Sequence, residues 1–136
     1  MSSPDRELFN QQVFAIVAAI PTGRLFTYGR IAALIPPPPG IDPLAYTRIR
    51  ARWAGYAMAK CPQALPWHRV VNVKGQISHR HGHGPHVQRQ LLQEEGIDVS
   101  PSGRVDLEAF LWEPEARWLR EQGLLDNPFD HFTPPA

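Results

Sequence analysis

Four consecutive prolines at positions 36–39 set the strongest limit on how this chain can fold. A proline ring fixes φ and removes the amide hydrogen, so a helix that reaches Pro36 must end there. The run itself reads as a stiff surface loop or as a polyproline ligand for a partner. Just upstream, "FTYGRIAALI" predicts a short helix capped by Thr27. Residues 5–20 place Phe9, Val13, Ile16, Val17 and Ile20 on one helical face, with Ser3 and Pro4 at its start and Pro21 and Gly23 at its stop. Beyond the prolines, residues 45–60, "AYTRIRARWAGYAMAK", read as a third helix rich in arginine. Two short helices in this order suggest a helix-turn-helix arrangement, although the connection from Pro36 to Pro43 is long for that motif.

The second half alternates shorter signals. "HRVVNV" followed by "KGQIS" predicts a β-hairpin turning near Lys74 and Gly75. "HVQRQLLQEEG" predicts a helix with Val87, Leu91 and Leu92 facing inward and Gly96 at its C-terminus. A short helix or turn is expected from Asp106, and another helix within "EARWLREQGLL". The tail "DNPFDHFTPPA" is expected to be loosely held. The fold class is therefore mostly α with a short β-hairpin. The domain boundaries expected are 1–113 for one domain and 114–136 for a C-terminal extension.

At 136 residues the chain has room for one domain or one plus a subdomain, and so for one site. It carries no 18-residue apolar run and no signal-peptide pattern, so a soluble protein of the bacterial cytoplasm, without membrane contact, is expected. The net charge of +1 hides a division: residues 1–90 hold 11 Lys/Arg against 3 Asp/Glu, and residues 91–136 hold 3 against 10. A basic stretch of that size suits a polyanion-binding surface, unless the two segments pair and cancel in the fold.

Two features invite chemistry. "HRHGHGPH" gathers His79, His81, His83 and His86, but zinc sites draw on separated ligand pairs and no Cys-x-x-Cys accompanies these, so no metal is expected. Cys61 is the only thiol, which excludes an internal disulfide. Lys60 beside it would favour the thiolate, yet the histidine that would activate it lies seven residues on, at His68, and it reads as an incidental thiol. No cofactor is expected.

"PWHRVVNVKG", taken with "TYGRIA", "RARWAGYAM" and "LLQEEG", resembles the alkyltransferase-like proteins, relatives of the O6-alkylguanine-DNA alkyltransferases. Their alkyl-accepting members carry Pro-Cys-His-Arg, and the alkyltransferase-like branch replaces the cysteine, commonly by tryptophan, as at Trp67. The resemblance covers about residues 5–113 and implies a helix-turn-helix, winged-helix-like domain of the alkyltransferase C-terminal type. It implies that Arg52 is a finger entering the base stack and that Tyr28 helps rotate a nucleotide out. Ala51 and Gly55 would allow close approach to the minor groove. A pocket for the extruded base would be built from Pro66, Trp67, His68, the Val70 backbone and Arg80. Arg80 would either lie against the flipped guanine or contact phosphate. His68 and Glu95 match the pair that activates the cysteine in true alkyltransferases and would remain as a structural hydrogen bond. Arg69 would tie down the hairpin.

The function so implied is a non-enzymatic, monomeric sensor of O6-alkylguanine in double-stranded DNA. It would hold the lesion by nucleotide flipping without alkyl transfer and flag it for nucleotide excision repair proteins. Two other readings stand beside it: an alkyltransferase that uses Cys61, and a sequence-specific transcriptional regulator whose Arg48 or Arg50 reads the major groove. Three departures from the family pattern touch these roles: Cys61 near the hinge position, the proline-rich insertion, and the extension after Pro114.

Overall fold

A computed structural model describes residues 4–77 and 85–126 of the chain, and its helices start and stop at the expected punctuation. Helix α1 spans Pro4–Ala19 and buries Phe9, Val13, Ile16 and Val17, with Ile20 buried just past its end. Ser3 lies outside the described residues. After strand β1 (Phe26–Thr27) comes helix α2 (Tyr28–Leu34), where the Thr27 hydroxyl accepts the Arg30 amide at 3.1 Å. Helix α3 (Pro43–Ala59) begins two residues earlier than expected because Asp42 caps it, its carboxylate accepting the Ala45 amide at 3.0 Å. Together α1, α2 and α3 enclose a core of Phe9, Ile16, Ile31, Leu34, Tyr46 and Met58.

The prolines create a problem at the end of α2, since none of them can donate an amide to its last carbonyls. Distant groups supply the donors. The Tyr46 hydroxyl, from the first turn of α3, donates to the Ile35 carbonyl at 2.7 Å, and the Leu125 amide donates to the Leu34 carbonyl at 2.8 Å. Burial pushes the Tyr46 phenol up to about 12, against the opposing charge of Arg50, so it stays a neutral donor. Helix α6 (Ala116–Glu121) places Leu119, and beyond it Leu124, in the same core as α1–α3. The described part of the segment after Pro114 thus completes the domain instead of trailing from it. The tail from residue 127 onward lies outside the described residues.

The expected hairpin takes a different form. A 3-10 turn, Trp67–Arg69, leads into strand β2 (Val70–Val71), which pairs in parallel with β1, Phe26 opposite Val70 and Thr27 opposite Val71. The reversal near Lys74 and Gly75 is present. Asn72 accepts the Lys74 and Gln76 amides at 2.9 Å each, and Gly75 adopts φ +74°. The returning chain then bridges antiparallel to Arg104 through Gln76 and not back along Val70–Val71. Both valines are completely buried, and a strand covered on both faces favours a central parallel pairing over an exposed hairpin arm. Gly75 has no substitute here, because a Cβ would sit 2.8 Å from the Val105 carbonyl oxygen.

Helix α4 (Pro85–Glu94) and the short α5 (Leu107–Phe110) follow. Leu92, Ile97, Val99 and Val105 form a second cluster with Leu25 and Val71. Gly96, at φ +85°, ends α4 as expected. None of the described helices is long and apolar enough to cross a membrane. If the segment after Pro114 is part of the core, Leu119→Ala costs about 3 kcal/mol and Tyr46→Phe about 1 kcal/mol in urea unfolding. A Leu119→Ala variant as stable as the parent would return that segment to the status of an appendage.

Candidate functional site

The end of α4 sets the geometry of the site. Gln88, Leu92 and Glu95 recur at i, i+4 and i+7, which brings them to one side of the helix. Gln88 is completely buried, and its amide nitrogen donates to the carbonyls of His68 at 3.0 Å and Val70 at 3.1 Å. Val87, expected to face inward, is exposed. The amide displaces it because two buried carbonyls of the Trp67–Val71 segment need donors that a valine lacks. Leu92 is buried as expected, and Leu91 is half-buried. The i, i+4, i+7 spacing was the available signal for Gln88, obscured by the polarity of the side chain.

Glu95 is the hub. Its carboxylate meets His68 Nε2 at 2.5 Å, accepts Arg69 Nε at 3.0 and 3.1 Å and Arg69 Nη2 at 2.8 Å, and accepts the Gly23 amide at 2.8 Å. Arg69 also donates to the Ile20 carbonyl at 2.7 Å and the Thr22 hydroxyl at 3.0 Å. It therefore ties the Trp67–Arg69 turn to the ends of α1 and α4, where a hairpin anchor was expected. Burial raises the Glu95 carboxyl, but the bonds from Arg69, Gly23 and His68 outweigh it and hold the group at about 2.

This hub fixes the segment that carries Trp67. The indole is 5% exposed and edge-on to the His68 ring, with centroids 6.1 Å apart. Pro66, Trp67 and His68 line one open cleft of about 370 Å³, together with Arg69, Ala18 and Leu91 among others. Val70 does not line it. It is completely buried, and its carbonyl is engaged by Gln88, so the expected backbone contribution to the pocket is absent from this cleft.

The comparisons with known proteins agree in direction. Residues 8–97 match the family model of the 6-O-methylguanine DNA methyltransferase DNA-binding domain. The chain is 43% identical to the DNA base-flipping protein of Escherichia coli over 108 residues, 76% of this chain and 74% of the relative. It is 34% identical to alkyltransferase-like protein 1 of Schizosaccharomyces pombe over 113 residues, 78% of this chain and 95% of the relative. The crystal structure of the S. pombe alkyltransferase-like protein in complex with DNA superposes with a TM-score of 0.61 at 31% identity, over 84% of this chain and all of that one.

The chain is an alkyltransferase-like member of the O6-alkylguanine-DNA alkyltransferase family. Its fold is the family's helix-turn-helix domain, and Trp67 stands where the alkyl-accepting members hold cysteine. Among the other expected residues, Tyr28 opens α2 and is half-buried, while Ala51 and Arg52 are exposed side by side on α3. Gly55 is buried. Of the two small residues, Ala51 is the exposed one. Arg80, His79, His81 and His83 lie outside the described residues, and His86 is exposed at the start of α4. Cys61 does not lie among the residues lining the cleft, and burial pushes its thiol up to about 11.

The hub makes a stability prediction with a definite sign. The Glu95 carboxyl falls from an ordinary 4.5 to about 2 on folding, so its contribution is complete above about pH 4.5 and is lost as pH falls through about 2. Thermal unfolding between pH 2 and 7 should show Glu95→Gln destabilised by on the order of 3 kcal/mol at neutral pH, with a flatter acid limb than the parent. Parallel acid limbs would remove Glu95 as the origin of the pH dependence.

Proposed function

We propose that this alkyltransferase-like protein binds O6-alkylguanine in duplex DNA and holds it without taking the alkyl group. The observation that carries the reading is Trp67, seated between Pro66 and His68 beside a fully assembled Glu95–His68–Arg69 network. In an alkyl-accepting relative the histidine and glutamate would serve a thiolate, which attacks the alkyl carbon and keeps it as a thioether. An indole has no comparable nucleophile. Cys61 does not replace it: a thiol near 11 is ionised in only about one molecule in ten thousand at pH 7.

On this reading the DNA-binding half of the machinery is kept. A lesion at guanine O6 inside a duplex can be enclosed only after the nucleotide leaves the stack. On this reading Tyr28, at the first turn of α2, crowds the backbone during that rotation, and Arg52, exposed on α3, enters the vacated stack. Access is through the minor groove, where a side chain can enter between base steps. The relatives described as base-flipping, and an S. pombe relative solved with DNA containing O6-carboxymethylguanine, support this reading. A held but unrepaired lesion then serves as a flag for nucleotide excision repair, which removes the damage as an oligonucleotide. The protein acts as a monomer and is not an enzyme.

The test is equilibrium binding to matched duplexes that differ only in methylation of one guanine O6, followed by mass spectrometry of the protein. Tighter binding to the methylated duplex with unchanged protein mass is expected, and Arg52→Ala should weaken binding at least tenfold. Equal affinities would favour a sequence-reading regulator, and a mass gain of one methyl group would point to transfer onto Cys61.

A further inference from the structure

The outward face of α3 extends well past Arg52. Arg48, Arg52, Tyr56 and Lys60 recur every four residues and all four are exposed. Successive members of such a row drift by only about 40° around the helix, so the four form one slowly winding stripe. Three members are cations suited to phosphates. The fourth, Tyr56, is a large aromatic residue left 50% exposed, one turn beyond Arg52 and set within the row of cations.

The ring is also held in place. The Arg6 guanidinium, reaching across from α1, lies 5.8 Å from the centroid of Tyr56 and 4.5 Å from that of Trp53. Trp53 is in turn locked edge-on against Phe9 at 5.4 Å and Tyr46 at 6.1 Å. A continuous line of ring contacts therefore runs from the core, through Trp53 and Arg6, to an exposed phenol beside the arginine finger. Pre-ordering an exposed side chain removes an entropy cost that binding would otherwise carry.

We infer that Tyr56 is a second DNA-contacting residue of α3, packing its ring against the sugars or a base edge of the groove beside Arg52, with Arg6 as the residue that positions it. The occupant of this face is a nucleic acid duplex, because the ring sits within a row of cations. The inference rests on the duplex-binding reading above. It adds to that reading a contact that is indifferent to alkylation, since Tyr56 is absent from the residues lining the Trp67 cleft.

Titrations of plain and O6-methylated duplexes at several salt concentrations test it. Tyr56→Ala should weaken binding to both duplexes by about five- to twentyfold, leaving the preference for the methylated one and the salt slope unchanged. Tyr56→Phe should bind like the parent. Arg6→Lys keeps the charge but loses the planar stacking surface. It should weaken binding in the parent background and add little in the Tyr56→Ala background, at unchanged melting temperature. Parent-like affinity of Tyr56→Ala for both duplexes would overturn the contact, and an additive Arg6→Lys effect would overturn the positioning role. A parent protein that binds both duplexes equally, yet loses affinity on Tyr56→Ala, would sink the lesion reading while upholding this one.

Discussion

Glu95 is the one group on which the arrangement of the site depends. Two segments far apart in sequence converge on its two oxygens, the loop after α1 through the Gly23 amide and the Trp67–Arg69 turn through His68 and Arg69, while the carboxylate itself stands just past the end of α4 and Arg69 reaches on to the Ile20 carbonyl. A buried carboxylate is tolerable only when so surrounded. Once it is, the turn bearing Trp67 cannot shift without breaking several charge-assisted bonds at once. Gln88 holds the same turn from its other side by its carbonyls. The segment that would carry the nucleophile is thus held on both sides although no nucleophile is present.

That persistence has a physical reason. The contacts that orient the histidine also close the gap between α1 and α4, so their removal would cost stability whether or not chemistry occurs. The tryptophan contributes in its own right. Burying most of an indole stabilises by about 2–3 kcal/mol, and its edge-on contact with His68 fills the site. At this position the chain holds apolar surface where the alkyl-accepting members hold a reactive atom.

How much of this was legible in the sequence follows the range of the interactions. The buried face of α1, the Thr27 cap and the Gly96 stop depend on neighbours within a turn or two, and each was visible in the spacing. The His68–Glu95 bond was legible only through the family motif. The parallel pairing of Phe26–Thr27 with Val70–Val71 was not, because strand partners are chosen by what else is buried nearby, and two adjacent valines fit a hairpin arm equally well. Val87 was mistaken for the inward residue because hydrophobicity does not register the demand of two buried carbonyls for the Gln88 amide. The role of the last segment was hidden for a related reason: the prolines at 36–39 announce that α2 lacks local donors, but not that Tyr46 and Leu125 supply them.

The charge division gains meaning in the fold. Arg117 pairs with Glu121 and Arg120 with Asp126, so part of the acidic segment is answered from within, while Arg48 and Arg52 on α3 and Lys60 at its end stand exposed. Those three exposed cations suit an approaching polyanion. On the proposed reading this matters more here than in an alkyl-transferring relative. There the outcome is fixed once a covalent bond forms, however briefly the complex lasts. Here the mark on the lesion lasts only as long as the complex, and each 1.4 kcal/mol of contact energy expressed in dissociation multiplies that time about tenfold. A protein that marks damage by staying bound must draw its retention from groups outside the pocket as well as inside it, and an aromatic ring fixed beside the finger on α3 is a direct way to do so.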